Sequence, residues 1–167
     1  LSRGLGDVYK RQGQDGSLLT DFLLKKNYKV ILGSRNNGLN QEAQVYTNCE
    51  AIPLDICSIS SVYDAFNLVK PDIVIHAAAI AGIDTVIKYP VKTMRVNMIG
   101  TANVLEVCQR LGIKDRVVEF STSEVFGSMA FKSKEEDQTV AGSAGEARWV
   151  YAVSKLAGEH LAKAYTT

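Results

Sequence analysis

The chain has 167 residues, 46% hydrophobic and 22% charged, so one globular domain with a sizeable core is expected. These proportions exclude a disordered, collagen-like or disulfide-scaffold protein, and 19 Lys and Arg against 18 Asp and Glu, a net charge of +1, speak against nucleic acid or another acidic partner. No apolar run reaches the roughly 18 residues that span a bilayer, and the start lacks the charged head and apolar core of a secretory signal, so the chain reads as cytoplasmic with no membrane partner.

From Gly16 onward, strand-like apolar runs alternate with helical patterns, the sequence signature of βα units around a parallel sheet. Leu18, Leu19, Phe22 and Leu23 recur at helical spacing, and Lys25-Lys26-Asn27 close that helix. Strands are expected at Tyr28–Leu32, Ala51–Leu54, Asp72–His76 and Arg116–Phe120, with a polar loop from Asn36 to Asn48. A helix over Ser58–Val69 turns Val62, Phe66 and Val69 inward. Val91, Met94, Met98, Ala102, Leu105 and Cys108 predict one long helix over Val91–Leu111, ended by Gly112. Residues 127–148, with a charged patch from Lys132 to Asp137, read as a long surface loop, and Tyr151–Tyr165 as a final helix. Cys49, Cys57 and Cys108 are odd in number and spaced unlike a metal knuckle, so they read as reduced core thiols and no metal site is expected.

Gly13-Gln14-Asp15-Gly16 opens the first helix, where glycines let backbone amides approach a pyrophosphate at the positive end of the helix dipole. A first glycine in that spacing would stand at residue 10, which is Lys10, and residues 1–9 contain no apolar run longer than Val8-Tyr9. The innermost strand of the sheet is therefore expected to be missing. Ser34 and Arg35, after the second strand, offer a 2′-phosphate a hydroxyl and a guanidinium, which leans toward NADP over NAD; the plain alternative is a solvated loop charge. Asp55, with Ile56 beside it, is placed either to accept from an adenine amino group or to cap the following helix. The small residues Ala77 and Ala78 after His76 let a cofactor pass close to the backbone, and His76 itself reads as a satisfied core histidine.

Tyr151 and Lys155 stand four apart on one helix face, and a nearby ammonium lowers the pKa of a phenol enough to make it a general base. Such a pair arises readily by chance, so its weight comes from following a strand end that carries Ser121-Thr122-Ser123-Glu124. There Thr122 can contact a substrate hydroxyl and Glu124 supplies a second acid/base, although hydroxyl-rich strand ends also serve as caps and turns.

Together, GQDGSLL, the strand ending HAAA, VNMIGTANVLE with Asn97, STSEVFG and YAVSK resemble, in order and spacing over residues 13–167, the extended short-chain dehydrogenase/reductases, specifically the NAD-dependent epimerase/dehydratase family of nucleotide-sugar enzymes. The resemblance implies an α/β, Rossmann-type doubly wound parallel sheet, and an NAD(P)-dependent enzyme on a nucleotide-sugar substrate. It makes Tyr151 the base, Lys155 its electrostatic partner and a cofactor ribose ligand, Thr122 the substrate contact, and Asn97 a residue near the active site and cofactor. In such enzymes the cofactor takes hydride from C4 of the sugar, acidifying C5, and later returns it. GQDGSLL and Thr122-Ser123-Glu124 are similar to GDP-mannose 4,6-dehydratases, where the glutamate assists loss of water across C5 and C6. STSEVFG with Ala147-Arg148-Trp149-Val150-Tyr151 is also similar to UDP-glucuronate decarboxylases, and Glu124 counts against a plain 4-epimerase. A non-catalytic Rossmann domain that senses NAD(P) is the reading from another class, and retention of Thr122, Tyr151 and Lys155 counts against it.

A member of that family has a Val/Ile strand and T-G-x-x-G before the position of Gln14. Residues 1–12 instead resemble translated adaptor or vector sequence, and they carry a net +2 that leaves −1 for residues 13–167. The expectation is a fragment: a foreign head over 1–12 and a partial NAD(P)-binding domain over 13–167, without the family's C-terminal substrate domain and inactive alone. The full-length protein is expected to be a homodimer, as family members commonly are.

Overall fold

A computed structural model describes residues 3–7, 14–35, 49–113 and 115–166. Strands β1 (Arg3–Asp7), β2 (Lys29–Ser34), β3 (Glu50–Pro53), β4 (Ile73–His76) and β5 (Arg116–Glu119) form one parallel sheet in the order β3-β2-β1-β4-β5. The chain steps outward from β1 through β2 to β3, then crosses to the other side of β1 for β4 and β5. That reversal is the doubly wound, Rossmann-type arrangement, and it opens a crevice beyond the carboxyl ends of the strands.

The expected absence of an innermost strand is corrected here, because Arg3–Asp7 occupies that position, pairing Leu5 with Ile31 on one side and with Val74 on the other. Parallel pairing uses the backbone N–H and C=O groups that every non-proline residue carries, so RGLGD serves without an apolar run. The slot between two strands fixes its register.

Around the sheet lie α1 (Gln14–Lys25), α2 (Ile59–Val69), α3 (Ile83–Lys88), α4 (Pro90–Met94), α5 (Gly100–Arg110) and α6 (Trp149–Ala164). Helix α2 forms as its pattern predicts. Ser58 caps it by accepting from the Ser61 amide at 3.3 Å, Val62, Ala65, Phe66 and Val69 line its buried side, and Lys70 in the left-handed region, followed by Pro71, ends it. Phe66 is 1% exposed in a core shared with Ile31, Ile52, Leu54, Val74, Val104, Val107 and Cys108. Burying a side chain of that size contributes about 1.5–3 kcal/mol.

Two helices differ from the sequence pattern. In α1, Leu18 and Phe22 are exposed while Thr20 is buried, its hydroxyl satisfied by the Gly16 carbonyl at 2.8 Å. The long helix exists, but residues Arg95–Ile99 form a π-turn between α4 and α5. The wider turn rotates the helix face, so Val91 is exposed and the buried stripe runs through Thr93, Val96, Asn97, Thr101 and Val104. Gly112, at φ 65°, ends α5 as expected. Residues 127–148 hold no helix or strand. The loop is tied back by the Val140 amide on the Val125 carbonyl at 2.9 Å and by Gly142, where a Cβ would lie 1.9 Å from Trp149 Nε1.

Candidate active site

Sequence-predicted residues gather where the strands end. β2 delivers Ser34 and Arg35, β3 leads to Asp55 and Ile56, β4 to Ala77 and Ala78, and β5 to Thr122 and Glu124. Gln14, Asp15 and Gly16 lie in the first turn of α1, whereas Gly13 lies outside the described residues.

The Asp55 carboxylate accepts from the Cys57 amide at 2.9 Å, and the cap of α2 is Ser58; the capping alternative for Asp55 is thereby corrected to a two-residue turn. The Cys57 thiol is pushed up by burial and by Asp55 and drawn down by Arg35 and Arg95. Ile56 is buried against Gly100, and its carbonyl accepts from Asn103 at 2.8 Å. Ala77 and Ala79 are half-buried and carry nothing beyond Cβ, whereas Ala78, 2% exposed, packs into the hydrophobic core. Asp55 and the alanines thus follow β3 and β4 at the carboxyl edge of the sheet.

On the other flank, Thr122 caps a short 3₁₀ turn over Ser123–Phe126, its Oγ1 accepting from the Glu124 amide at 3.3 Å. Cap and substrate contact are compatible, since the hydroxyl keeps its proton to donate. Ser121 donates to Glu159. Tyr151 is half-buried at the start of α6, and burial together with the Glu124 carboxylate pushes its phenol above the ordinary tyrosine value. The net shift is thus opposite to the lowering expected from Lys155, because burial and Glu124 set its direction. Lys155, only 3% exposed, is paired instead with Glu119 at 3.4 Å, and a neutral ion pair exerts a weaker field on the phenol than a lone ammonium.

Asn97 is engaged within the protein: its Oδ1 accepts from the Ile80 amide at 2.7 Å, and its Nδ2 donates to the Ile80 carbonyl at 3.1 Å and to Ser154 Oγ at 3.0 Å. Ser154 Oγ in turn donates to the Tyr151 carbonyl at 2.7 Å. Asn97 therefore ties the segment after β4 to the turn of α6 that carries the Tyr-Lys pair. His76 is the satisfied core histidine that was expected, with Nε2 3.1 Å from Thr101 Oγ1, and burial and the Lys155 charge press its pKa down to about 3. Sequence reasoning missed Glu119, Ser154 and Arg95. A glutamate inside the apolar run RVVEF was the available signal, because a charge at a buried strand position demands a partner. Cys49, Cys57 and Cys108 are free thiols, Cys108 buried and the other two half-buried, and among the described residues no cluster of metal-binding side chains occurs.

A doubly wound sheet with a Tyr-Lys helix beside the strand ends defines the class of short-chain dehydrogenase/reductases. Within it, the chain belongs to the NAD dependent epimerase/dehydratase family, whose model matches residues 11–167. It is 32% identical over 152 residues to a UDP-N-acetyl-alpha-D-glucosaminuronate decarboxylase of Bacillus cytotoxicus, covering 90% of this chain and 46% of that protein. It is 32% identical over 149 residues to a GDP-mannose 4,6-dehydratase of Sordaria araneosa, covering 86% of this chain and 26% of the relative. Among solved structures, the UDP-glucose 4-epimerase of Thermus thermophilus in complex with NAD superposes with a TM-score of 0.79 at 25% identity, covering 98% of this chain and 50% of the other. The UDP-glucose 4-epimerase of Brucella ovis in complex with NAD, at 21% identity, shares the fold with a TM-score of 0.82, over 99% of this chain and 48% of its own. The chain thus spans half or less of the length of these proteins. Among the described residues no helix is long and apolar enough to cross a membrane.

Proposed function

We propose that the protein is an NAD(P)-dependent nucleotide-sugar enzyme that works by transient oxidation at C4 of the sugar, with Tyr151, Lys155, Thr122 and Glu124 as its catalytic residues. The observation that carries this reading is the convergence of Thr122 and Glu124 after β5 with Tyr151 and Lys155 on α6, at the carboxyl edge of the sheet. Tyr151 takes the proton of the sugar hydroxyl, Thr122 donates to that sugar, and Lys155 supplies the charge that favours the phenolate. A nicotinamide dinucleotide, when bound, supplies the hydride acceptor; Gly13 to Gly16, Ser34, Arg35, Asp55, Ile56, Ala77 and Ala78 are the residues we assign to holding it. Asn97 acts by holding the Tyr-Lys helix in place.

Glu124 beside Tyr151 supplies the second acid/base that elimination of water across C5 and C6 needs, so a 4,6-dehydratase reaction is the leading reading. Decarboxylation of a nucleotide-linked uronate is the second, favoured by the match to the Bacillus cytotoxicus decarboxylase. A homodimer belongs to the same reading, supported by Ile87, Val91 and Ile99, which lie exposed from α3 to the π-turn.

The full-length protein, supplied with GDP-mannose or a UDP-uronate and NAD or NADP, is expected to yield a 4-keto-6-deoxy sugar or carbon dioxide respectively. Tyr151→Phe is expected to lower that turnover at least about a hundredfold. Undiminished turnover in the variant refutes the mechanism. For the cofactor, Arg35 supports NADP; affinity for NADP is expected to fall about tenfold in Arg35→Ala while NAD affinity holds, and an unchanged ratio of the two withdraws that role.

A further inference from the structure

Glu119 lies at the end of β5 with its side chain 8% exposed, and three elements converge on it. From α6, Lys155 Nζ approaches its Oε1 to 3.4 Å. From α5, the Thr101 hydroxyl lies 3.4 Å from the same oxygen and 2.7 Å from the Asn97 carbonyl, and shares its one proton between them. Gly158, one turn along α6 from Lys155, leaves the room: a Cβ there would fall 2.2 Å from Glu119 Oε1. The carboxylate therefore occupies the volume that any other residue at 158 would fill.

We propose that Glu119 is a positioning residue of the Tyr151–Lys155 site: its carboxylate anchors the Lys155 ammonium and sets how strongly that charge acts on the Tyr151 phenol. The proposal rests on the reading of Tyr151 as the base. Lys155 is the cation that faces Glu119; Glu159 on α6 is the like charge, and His76 on β4, behind Thr101, is neutral. On the far side of the pair, Glu124 faces Tyr151. Burial pushes the Glu119 carboxyl up and Lys155 draws it back, as a desolvated pair requires. With the carboxylate present, the Lys155 charge that reaches the Tyr151 phenol is partly cancelled. With glutamine there, that cancellation is gone and the phenol releases its proton at lower pH.

The test is a carbon-13 NMR titration of the full chain labelled at Tyr ζ carbons, with Tyr151→Phe assigning the signal. In Glu119→Gln the Tyr151 midpoint is expected to fall by about one pH unit, while Glu119→Asp, which keeps the charge, retains the parent midpoint. Gly158→Ala, which displaces the carboxylate without removing it, is expected to shift the midpoint in the same direction. An unmoved midpoint in folded Glu119→Gln, or in folded Gly158→Ala where the first variant does not fold, overturns the proposal. A shifted midpoint in a protein that turns over no nucleotide-sugar upholds the role of Glu119 and removes the proposed function instead.

Discussion

His76 closes β4 with 3% of its surface exposed, and its folded pKa of about 3 stands far below the ordinary 6.5. Above pH 6.5 the ring is neutral in both the folded and unfolded chain and contributes no pH dependence. Between that value and about 3, the unfolded chain binds a proton that the folded chain refuses, so stability falls as pH falls, by at most about 1.4 kcal/mol per unit. Urea unfolding from about pH 7 to about pH 4 is expected to show this loss in the parent chain and a shallower one in His76→Gln. Equal slopes would mean that the histidine is not the group responsible. The same neighbourhood shows which parts of the site a sequence discloses. Tyr151 and Lys155 were legible because a helix fixes what residues four apart share. Glu119, 36 residues before Lys155, meets it only through the crossing of β5 and α6, which no local spacing encodes.

At the level of elements, the segment from Pro90 to Arg110 is one rod with a widened turn in it. A strict 3.6-residue pattern leads to Val91 as an inward residue and passes over Asn97, because the π-turn shifts the face by a fraction of a turn. Helix α3, at six residues, is too short to leave a periodic trace. By contrast β2, β4, β5 and α2 lie within a residue or two of their expected bounds, since apolar runs and caps act locally. Gly100, the first residue after the widened turn, is where the rod touches the connection following β3: a Cβ would sit 2.4 Å from Ile56 Cδ1 and 2.9 Å from its Cγ1. Gly100→Ala gains roughly 1 kcal/mol of helix propensity and loses about 1–3 kcal/mol to overpacking, so a net loss near 1 kcal/mol is expected. Adding Ile56→Val removes the clashing methyl group, and the double variant is expected to recover most of the loss in urea unfolding. Strictly additive effects of the two changes would rule out the contact.

On the scale of the whole molecule, alternation of strands and helices was enough to predict a parallel sheet, because such a sheet needs a crossover between its strands, while its doubly wound order was implied by the family resemblance. What alternation did not predict was the middle of that sheet. The five residues of β1 supply it by backbone pairing, a property that composition does not register. β1 stands between β2 and β4, pairing with β4 over Gly4 to Gly6, so the two halves of the sheet are joined through it. The consequence is one of timing. β1 leaves the ribosome before the strands it pairs with; β2 follows it after one helix, and the other edge of β1 has to wait for β4, with Gly4 pairing with Ile73 far along the chain. Closing so long a loop is slow. Until β4 arrives, a row of unpaired amides and carbonyls faces outward from the centre of the nascent sheet, the kind of edge on which chains aggregate. The strand that completes the finished fold is thus also the place where a half-made one is most exposed.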